Sequence, residues 1–393
     1  MQASPLALKP VAKPMLRPSN PCFGSGPTAK RPGWSPQVLE KALAGRSHRS
    51  KEGYARIQYL LELSRNILKI PDDYLIALVP GSDTGAIEMA LWGMIGPRGV
   101  DVLAWDKFGE LWVHDIVHEL KIKDVRTFKA PYGELPDLKQ VDTDRDVVFT
   151  WTGTTTGVCV PDGAWIYDER EGLTICDATA AVFAVDLPWD KLDVTTYSWQ
   201  KVLGGEGAHG MLILSPRAVE RIKSYTPPWP MPRLFRLMRD GNFMSQVFDG
   251  STINTPSMLC VEDCIDVLEW IQSTGGLASS IKRSKANLAA LSAWIEKTHW
   301  VDFYAKEPST RASTAMTFNV IQPGYRELEP KTNAEWVQKI SDILAAEGAA
   351  YDIHGHKEMP PHLRIWGGTT VETKNIEILL PWLEWAYQQI VTA

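Results

Sequence analysis

Short apolar runs rich in β-branched residues alternate with helical segments from about residue 70 onward. This alternation is typical of an α/β domain built on a largely parallel sheet. The pattern predicts seven strands, over residues 74–79, 101–104, 125–129, 147–151, 173–176, 194–198 and 210–214. Ligands of open α/β sheets bind beyond the carboxyl ends of the strands, so we expect the chemistry of the chain in the turns that follow these segments.

The chain of 393 residues is too long for a single hydrophobic core and predicts a large and a small domain. Repeated prolines near the N-terminus predict an extended arm over residues 1–22. The large α/β domain is expected over residues 23–270. Residues 271–393 are expected to form a smaller α+β domain, with a strand near 313–321 and a final helix from Val371.

The composition indicates a small-molecule pocket rather than a polymer-binding surface. A formal net charge of −6 gives no general attraction to nucleic acid or to an anionic membrane. The five cysteines are odd in number and lack the close pairs of a zinc ribbon, so we expect thiols in a reducing cytoplasm and no bound metal. The sequence has no apolar run of the ~18 residues that a membrane span needs.

Lys201 follows the predicted strand 194–198 and precedes a glycine-rich turn over residues 204–207, where the backbone can approach a cofactor closely. Asp177 follows the strand 173–176, so its carboxylate and the lysine amine are expected to face one crevice. Pyridoxal phosphate (PLP) chemistry needs such a lysine, and an acid for the pyridine nitrogen. Taken singly, each residue has a plainer interpretation, as a solvated surface lysine and as a turn aspartate.

The turn over residues 80–85 connects the first predicted strand to a helix over 86–94. Free backbone N–H groups at such a helix start suit a phosphate, and Ser82, Asp83 and Thr84 are the candidate residues. A simple helix cap made by the same side chains is an equally good interpretation. The Asp83 carboxylate is unhelpful to an anion unless it points away. The segment has neither a P-loop nor a Rossmann pattern, which argues against nucleotide binding.

Eight short motifs stand in the order seen in class V, fold-type I aminotransferases, which the chain resembles over about residues 20–370. The motifs cover residues 23–28, 47–51, 81–84, 108–112, 153–157, 177, 200–201 and 254–256. Within the class, the Ser-His-Arg and Gln-Lys elements are most similar to the phosphoserine aminotransferases. The resemblance implies PLP as cofactor and a mostly parallel seven-stranded sheet with helices on both faces, followed by a smaller α+β domain.

The same resemblance implies a role for each residue around the cofactor ring. Lys201 would form the Schiff base, Asp177 would pair with the pyridine nitrogen, and Thr154 would donate to the 3-oxygen. An aromatic side chain stacks on the ring in such enzymes. Phe108 matches that place by its position before a glycine, and Trp112 is the alternative because tryptophan is common there in phosphoserine aminotransferases.

The resemblance assigns the cofactor phosphate to residues of two subunits, which makes a homodimer part of the active site. They are Ser82, Asp83, Thr84 and Gln200 of one subunit, and Asn254 and Thr255 of the other.

Five cationic or basic side chains are implied as substrate ligands. His48 and Arg49 lie in a segment that resembles the family's element for the substrate phosphate and γ-carboxylate. Arg364 matches the arginine that grips the α-carboxylate, since a guanidinium binds two oxygens in one plane. His356 and Lys357 stand where the family often has a His-Arg pair. Here lysine replaces arginine, and the spacing to Arg364 is one residue longer.

The implied reaction is a ping-pong transfer of an amino group between glutamate or 2-oxoglutarate and phosphoserine or 3-phosphohydroxypyruvate. A transaminase of the same class acting on alanine, serine or glyoxylate is the nearest alternative, and 4-phosphohydroxythreonine is a further candidate substrate. A cysteine desulfurase needs a mobile cysteine near the C-terminal part, whereas the last cysteine here is Cys264. A binding protein that kept the fold without activity would be colourless and would not take up PLP.

Overall fold

In a computed structural model, which describes residues 11–322 and 326–392, a large sheet and a small sheet are connected by long helices. The strands are β1 (Leu75–Pro80), β2 (Val100–Ala104), β3 (Val125–Lys129), β4 (Asp146–Thr150), β5 (Thr152–Gly153), β6 (Val158–Cys159), β7 (Thr174–Asp177), β8 (Val194–Ser198), β9 (His209–Leu214), β10 (Met238–Arg239), β11 (Asn242–Phe243), β12 (Val301–Phe303), β13 (Ala315–Gln322), β14 (Arg326–Glu327) and β15 (Leu363–Trp366). The α-helices are α1 (Lys51–Leu68), α2 (Ser82–Met94), α3 (Lys107–His114), α4 (Pro216–Ser224), α5 (Met258–Ser273), α6 (Gly276–Ile295), α7 (Pro330–Ala346) and α8 (Thr373–Val391).

The large sheet has seven strands in the order β1-β9-β8-β7-β4-β2-β3. The pairs from β8 to β3 are parallel, whereas β9 runs antiparallel to both β8 and β1. These seven strands are the seven that the sequence predicts, within two residues at each end. The prediction of a mostly parallel α/β sheet is therefore confirmed.

Alternate residues of each strand enter separate hydrophobic clusters on the two faces of this sheet. Ile76 and Leu78 of β1 pack on the face covered by α1 and α5, while Ala77 and Val79 pack on the face covered by α2 and α4. Such side chains are worth about 1.5–3 kcal/mol each when fully buried. The sheet is therefore a rigid platform, and its strand ends hold their side chains in fixed places.

The small sheet consists of β12, β13, β14 and β15, with β13 in antiparallel pairs with each of the others. Helices α6 and α7 pack against α8 beside it. The side chain of Asn287 on α6 donates to the carbonyl oxygens of Gly367 and Val371, which fixes the segment between β15 and α8. The predicted domain boundary at 270/271 lies within the last turn of α5, and the division into an arm and two domains stays a prediction.

The described part of the arm, residues 11–22, lies across α8. Val11 N donates to Gln388 Oε1 at 2.6 Å, and Trp382 Nε1 donates to the Leu16 carbonyl at 2.7 Å. The chain then continues past Phe23, which is fully buried, to the end of the large sheet. None of the helices that the structure describes is long and apolar enough to span a membrane.

Candidate active site

A cavity of about 110 Å³ lies at the carboxyl ends of β1, β7 and β8, beside the start of α2. Parallel strands bring their carboxyl ends to one edge, which explains why residues distant in sequence meet there. Except for Thr179, the sequence-based prediction named every lining residue. The lining residues are Ser82, Asp83, Thr84, Phe108, Trp112, Thr154, Asp177, Thr179, Gln200 and Lys201.

Lys201 extends from the turn after β8, and its ammonium group donates to the Ser25 carbonyl at 2.6 Å. Burial, and then the nearby Arg364 guanidinium, lower the pKa of Lys201 to about 8. A Cβ atom on Gly26 would collide with Lys201 Nζ, so only glycine leaves room for the amine. A lysine with such a pKa is partly unprotonated at neutral pH, and that fraction is a nucleophile.

The segment that carries Gly26 also fixes the backbone of the lysine. Thr28 N donates to the Gln200 carbonyl at 3.0 Å, and Thr28 Oγ1 donates to the Lys201 carbonyl at 2.5 Å. Sequence reasoning used this segment as a motif but did not assign Ser25 or Thr28 to the site. Their closeness to the lysine comes from the path of the arm, which no local pattern reveals.

Asp177 ends β7 and is 4% exposed. Its Oδ1 accepts from Thr179 N at 3.0 Å, and its Oδ2 accepts from Trp112 Nε1 at 3.3 Å. Burial raises the pKa of Asp177, and these donors oppose the rise. The carboxyl group is thus held in one orientation at the side of the cavity.

The Asp83 side chain is buried near Asp177, and burial followed by the Asp177 carboxyl group raises the pKa of Asp83 well above its ordinary value. An anion at the start of α2 would therefore meet main-chain N–H groups, not this carboxyl group. Helix α2 begins after Gly81 without a side-chain cap, which leaves those N–H groups for a ligand. The assignment of the turn at Asp83 and Thr84 to the cofactor phosphate stays a prediction.

Arg364, on β15 of the small sheet, reaches the large sheet. Its Nη1 donates to the Thr154 carbonyl at 3.0 Å, and its Nε is buried without a hydrogen-bond partner among the described residues. Burial lowers the pKa of Arg364 to about 10, which still leaves it charged at neutral pH. A buried guanidinium with an unused N–H group is suited to a carboxylate ligand.

Lys107 joins this positive region, although the sequence analysis did not single it out. Its Nζ pairs with Glu358 Oε2 at 2.6 Å, across the gap between α3 and the loop before β15. His356 lies in the same loop, and burial followed by the charges of Arg364 and Lys107 lowers its pKa. Lys357 is exposed beside it. The only signal for Lys107 in the sequence was its place directly before Phe108.

Seven of the predicted residues do not line the cavity within one chain. Arg364, His356 and Lys357 belong to the positive region beside it, and four others lie elsewhere. Arg49, Asn254 and Thr255 are exposed, and the buried His48 lies at the start of α1. The loop that carries Asn254 and Thr255 approaches α1 as well, since a Cβ atom on Gly250 would lie 3.1 Å from Gln58 Cγ. This loop thus passes α1, which His48 and Arg49 closely precede in the chain.

The cavity fits a ligand with an aldehyde, a basic aromatic nitrogen and a phosphate. Lys201 supplies an amine, and Asp177 supplies a buried carboxyl group. The buried Gln200 Oε1 has no hydrogen-bond partner among the described residues, so a ligand donor or a shift of the amide would satisfy it. This combination of an amine, an acid and a helix start is what PLP requires.

Comparison with known proteins gives the same assignment. The chain is 52% identical over 378 residues to the phosphoserine aminotransferase of Methanosarcina mazei, covering 96% of this chain and 100% of the relative. A phosphoserine aminotransferase structure from Cytophaga hutchinsonii matches with a TM-score of 0.78 at 18% identity, over 93% of this chain and 99% of that one. A PLP-bound phosphoserine aminotransferase structure from Trichomonas vaginalis matches with a TM-score of 0.72 at 17% identity, over 93% and 99%. At these identities the two structures show the fold alone. No protein-family model matches the chain.

Proposed function

Because the chain belongs to the phosphoserine aminotransferase family, we propose that it transfers an amino group between glutamate and 3-phosphohydroxypyruvate, with PLP as cofactor. The observation that carries the proposal is one cavity that holds Lys201, Asp177 and Thr154 together, with Arg364 beside it. The unpaired thiols of all five cysteines suit a reducing compartment, so we place the reaction in the cytoplasm.

Each part of the cofactor has a proposed ligand in the cavity. Lys201 would hold the aldehyde carbon, Asp177 the pyridine nitrogen, and Thr154 the 3-oxygen. The phosphate would lie at the start of α2, near Thr84 and Gln200, where main-chain N–H groups lack a side-chain cap. Bound PLP supplies the electron sink that makes loss of the substrate Cα proton feasible.

Lys201 is also the proposed carrier of that proton. Its pKa of about 8 lies close to neutral pH, where a general base works best because it is partly free and still basic. The Ser25 carbonyl, 2.6 Å from Nζ, holds the ammonium form in place, which supports return of the proton from the same nitrogen.

Phe108 is the proposed stacking residue, and Trp112 the residue that orients Asp177. The Trp112 indole is 3% exposed and uses its N–H group on Asp177 Oδ2, whereas Phe108 is only partly buried at the start of α3. A ring that covers the cofactor needs a face open to the cavity, which favours Phe108.

Arg364 is the proposed partner of the substrate α-carboxylate, because its unused Nε can complete a two-point contact. Lys107 then provides positive charge for the substrate's second anionic group, with Lys357 at the exposed end of the loop, and His356, whose pKa is lowered, provides a neutral N–H donor. Glu358 holds Lys107 when that group is absent. The net positive surroundings favour a doubly anionic substrate over alanine or serine.

We further propose a homodimer in which His48, Arg49, Asn254 and Thr255 serve the active site of the other subunit. Three of them are exposed in one chain, and none of the four lines the cavity of its own chain. An arginine there would have an anion to bind only across an interface between two copies.

Amino transfer to 2-oxoglutarate with phosphoserine, alanine or serine as donor tests the function. We expect phosphoserine to give a kcat/KM at least about a hundredfold above the others, because pairing a buried charge is worth about 1.5–3 kcal/mol per hydrogen bond. Equal or better use of alanine or serine would assign the chain the activity of another class V transaminase. If no donor decreases the absorbance of bound PLP, the chain is a PLP-binding protein without aminotransferase activity.

A further inference from the structure

Two buried carboxyl groups line the candidate cavity. Asp83 comes from the first turn of α2 and is 7% exposed, and Asp177 comes from the end of β7 and is 4% exposed. Burial raises the pKa of Asp83, and the neighbouring Asp177 raises it further through its charge and through hydrogen bonding. Two ionised carboxylates so placed would repel each other, and a hydrogen bond between them needs a proton on one of them.

The hydrogen-bond partners indicate which of the two carries the charge. Asp177 accepts from Thr179 N and from Trp112 Nε1, so its ionised form is stabilised by two donors. Asp83 Oδ1 is buried without a hydrogen-bond partner among the described residues, and the Thr196 and Thr179 side chains lower the pKa of Asp83 by less than burial and Asp177 raise it. An ionised Asp83 would lack the main-chain and indole N–H donors that stabilise the Asp177 carboxylate.

The charged groups around the pair do not change this assignment. Lys201 is near Arg364 and interacts with Asp177, Asp106 and Asp83, and the buried Asp106 is a third acid near Asp177. The thiol of Cys176 is also adjacent, and its pKa is raised by burial and by both carboxyl groups. Burial raises the pKa of Asp83 well above its ordinary value, and Asp177 raises it further.

We propose that Asp83 and Asp177 share one proton, which Asp83 carries and donates in a hydrogen bond to ionised Asp177. Asp83 is then a positioning residue that acts on the cofactor only through Asp177. The proposal rests on the proposed PLP site. A neutral donor stabilises the Asp177 carboxylate, and that carboxylate keeps the proton on the pyridine nitrogen.

Two substitutions separate a neutral donor from a negative charge. Asp83→Asn keeps an N–H donor toward Asp177 and cannot ionise, while Asp83→Leu has a similar size and no donor. The readout is the ¹⁵N chemical shift of the ring nitrogen in ¹⁵N-labelled PLP bound to each protein, followed with pH in the absence of substrate. This shift reports ring protonation without any turnover.

We expect Asp83→Asn to match the unsubstituted protein. Asp83→Leu should lower the ratio of protonated to unprotonated ring nitrogen by about tenfold or more, as expected when a hydrogen bond to a charged group is lost. If Asp83→Asn shifts the ratio as far as Asp83→Leu, then Asp83 is ionised and the proposal is wrong. It is equally wrong if neither variant changes the shift.

Infrared spectroscopy of the apoprotein decides the question even if a variant fails to bind PLP. The spectrum should contain the C=O band of a protonated carboxyl group, and Asp83→Asn should remove it. The measurement belongs at about pH 9, because burial raises the pKa of Asp106 to about 7 and its protonated form must be negligible. Asp106→Asn is the matched control, which should leave the band in place. A spectrum without the band would overturn the shared proton, whereas loss of phosphoserine activity alone would bear only on the proposed function.

Discussion

Gly26 leaves no room for a side chain beside the lysine amine, because a Cβ atom there would collide with Lys201 Nζ. Gly26→Ala should therefore displace the amine. Overpacking of this kind costs about 1–3 kcal/mol, so we expect PLP to bind roughly 10-fold to 100-fold more weakly, as measured by its absorbance in a titration.

Gly207→Ala is the matched control for this substitution. Gly207 lies in the turn after Lys201, and no atom would be within 4 Å of an added Cβ. It should bind PLP normally. Equal PLP affinity in Gly26→Ala and Gly207→Ala would mean that the Lys201 amine can move aside without loss of cofactor binding.

The low pKa of Lys201 predicts how the apoprotein captures PLP. Only the unprotonated amine reacts, so the capture rate should level off above pH 8 and fall about tenfold for each pH unit below it. Arg364→Gln removes a neighbouring cation, which raises the pKa of Lys201 and moves the break to higher pH. Stopped-flow absorbance at a fixed PLP concentration measures both profiles.

Arg236→Gln serves as the control for the capture experiment, because the Arg236 side chain bonds to the Met231 carbonyl in an exposed loop. Its profile should match that of the unsubstituted protein. If the pH at which the capture rate levels off is unchanged in Arg364→Gln, then burial and not Arg364 lowers the pKa of Lys201.

The sequence predicted Lys201 and Asp177 because strand ends of a parallel sheet converge at one edge. It did not predict Ser25, Thr179 or Lys107, whose place depends on how distant segments pack. The orientation of Asp83 was also out of reach, since a residue at a helix start can face either a ligand or a neighbouring strand. Such side-chain directions follow from tertiary contacts rather than from local pattern.

The ion pair between Lys107 and Glu358 connects helix α3 to the loop before β15. Under the proposed function, Lys107→Met should raise the KM for phosphoserine, and Glu358→Gln should lower it by releasing the lysine. Both side chains are partly exposed, so we expect changes of only about twofold to fivefold, as for pairs worth 0.2–1 kcal/mol. Steady-state kinetics at low salt, with alanine as a second donor, measures the effect.

Lys306→Met is a suitable control, because Lys306 pairs with Glu134 in a second exposed ion pair that does not line the cavity. It should leave the KM unchanged. Changes in the same direction for Lys107→Met and Glu358→Gln would indicate a purely structural bridge, not a cation available to the substrate.

The elements of the large sheet were predictable because each strand is a short apolar run between clear breaks. The reversal of β9 was not, since the burial pattern of a strand is the same in either direction. Helix α2 begins four residues before the predicted start, because Gly81 at φ 86° makes the left-handed turn that lets it start at Ser82. Two-residue strands such as β5 are too short to give any periodic signal.

Shared active sites in a homodimer predict recovery of activity from two inactive variants. Lys201→Ala and Arg49→Ala should each be nearly inactive. In a hybrid dimer, one site receives an intact lysine from one subunit and an intact arginine from the other. If the subunits pair at random, half of the dimers are hybrids, and each hybrid has one intact site out of two. Co-expression should therefore restore about a quarter of the full activity.

Arg364→Ala combined with Lys201→Ala is the control for the mixing experiment, because both residues lie at the same cavity of one chain. No hybrid of these two variants has an intact site, and activity should not recover. Mass measurements verify that hybrid dimers form. If the mixture of Arg49→Ala and Lys201→Ala is then no more active than either variant alone, Arg49 lies outside the shared site.

The arm that crosses α8 also determines the order in which parts of the molecule can fold during synthesis. Val11 and Leu16 are made early, yet their partners Gln388 and Trp382 are made more than 360 residues later. Domains fold in the order in which they leave the ribosome, so the large sheet can form first. The arm cannot be seated until α8 has been made, and the Ser25 carbonyl that accepts from Lys201 lies three residues beyond the arm. The site that needs the lysine is thus among the last parts of the molecule to be completed.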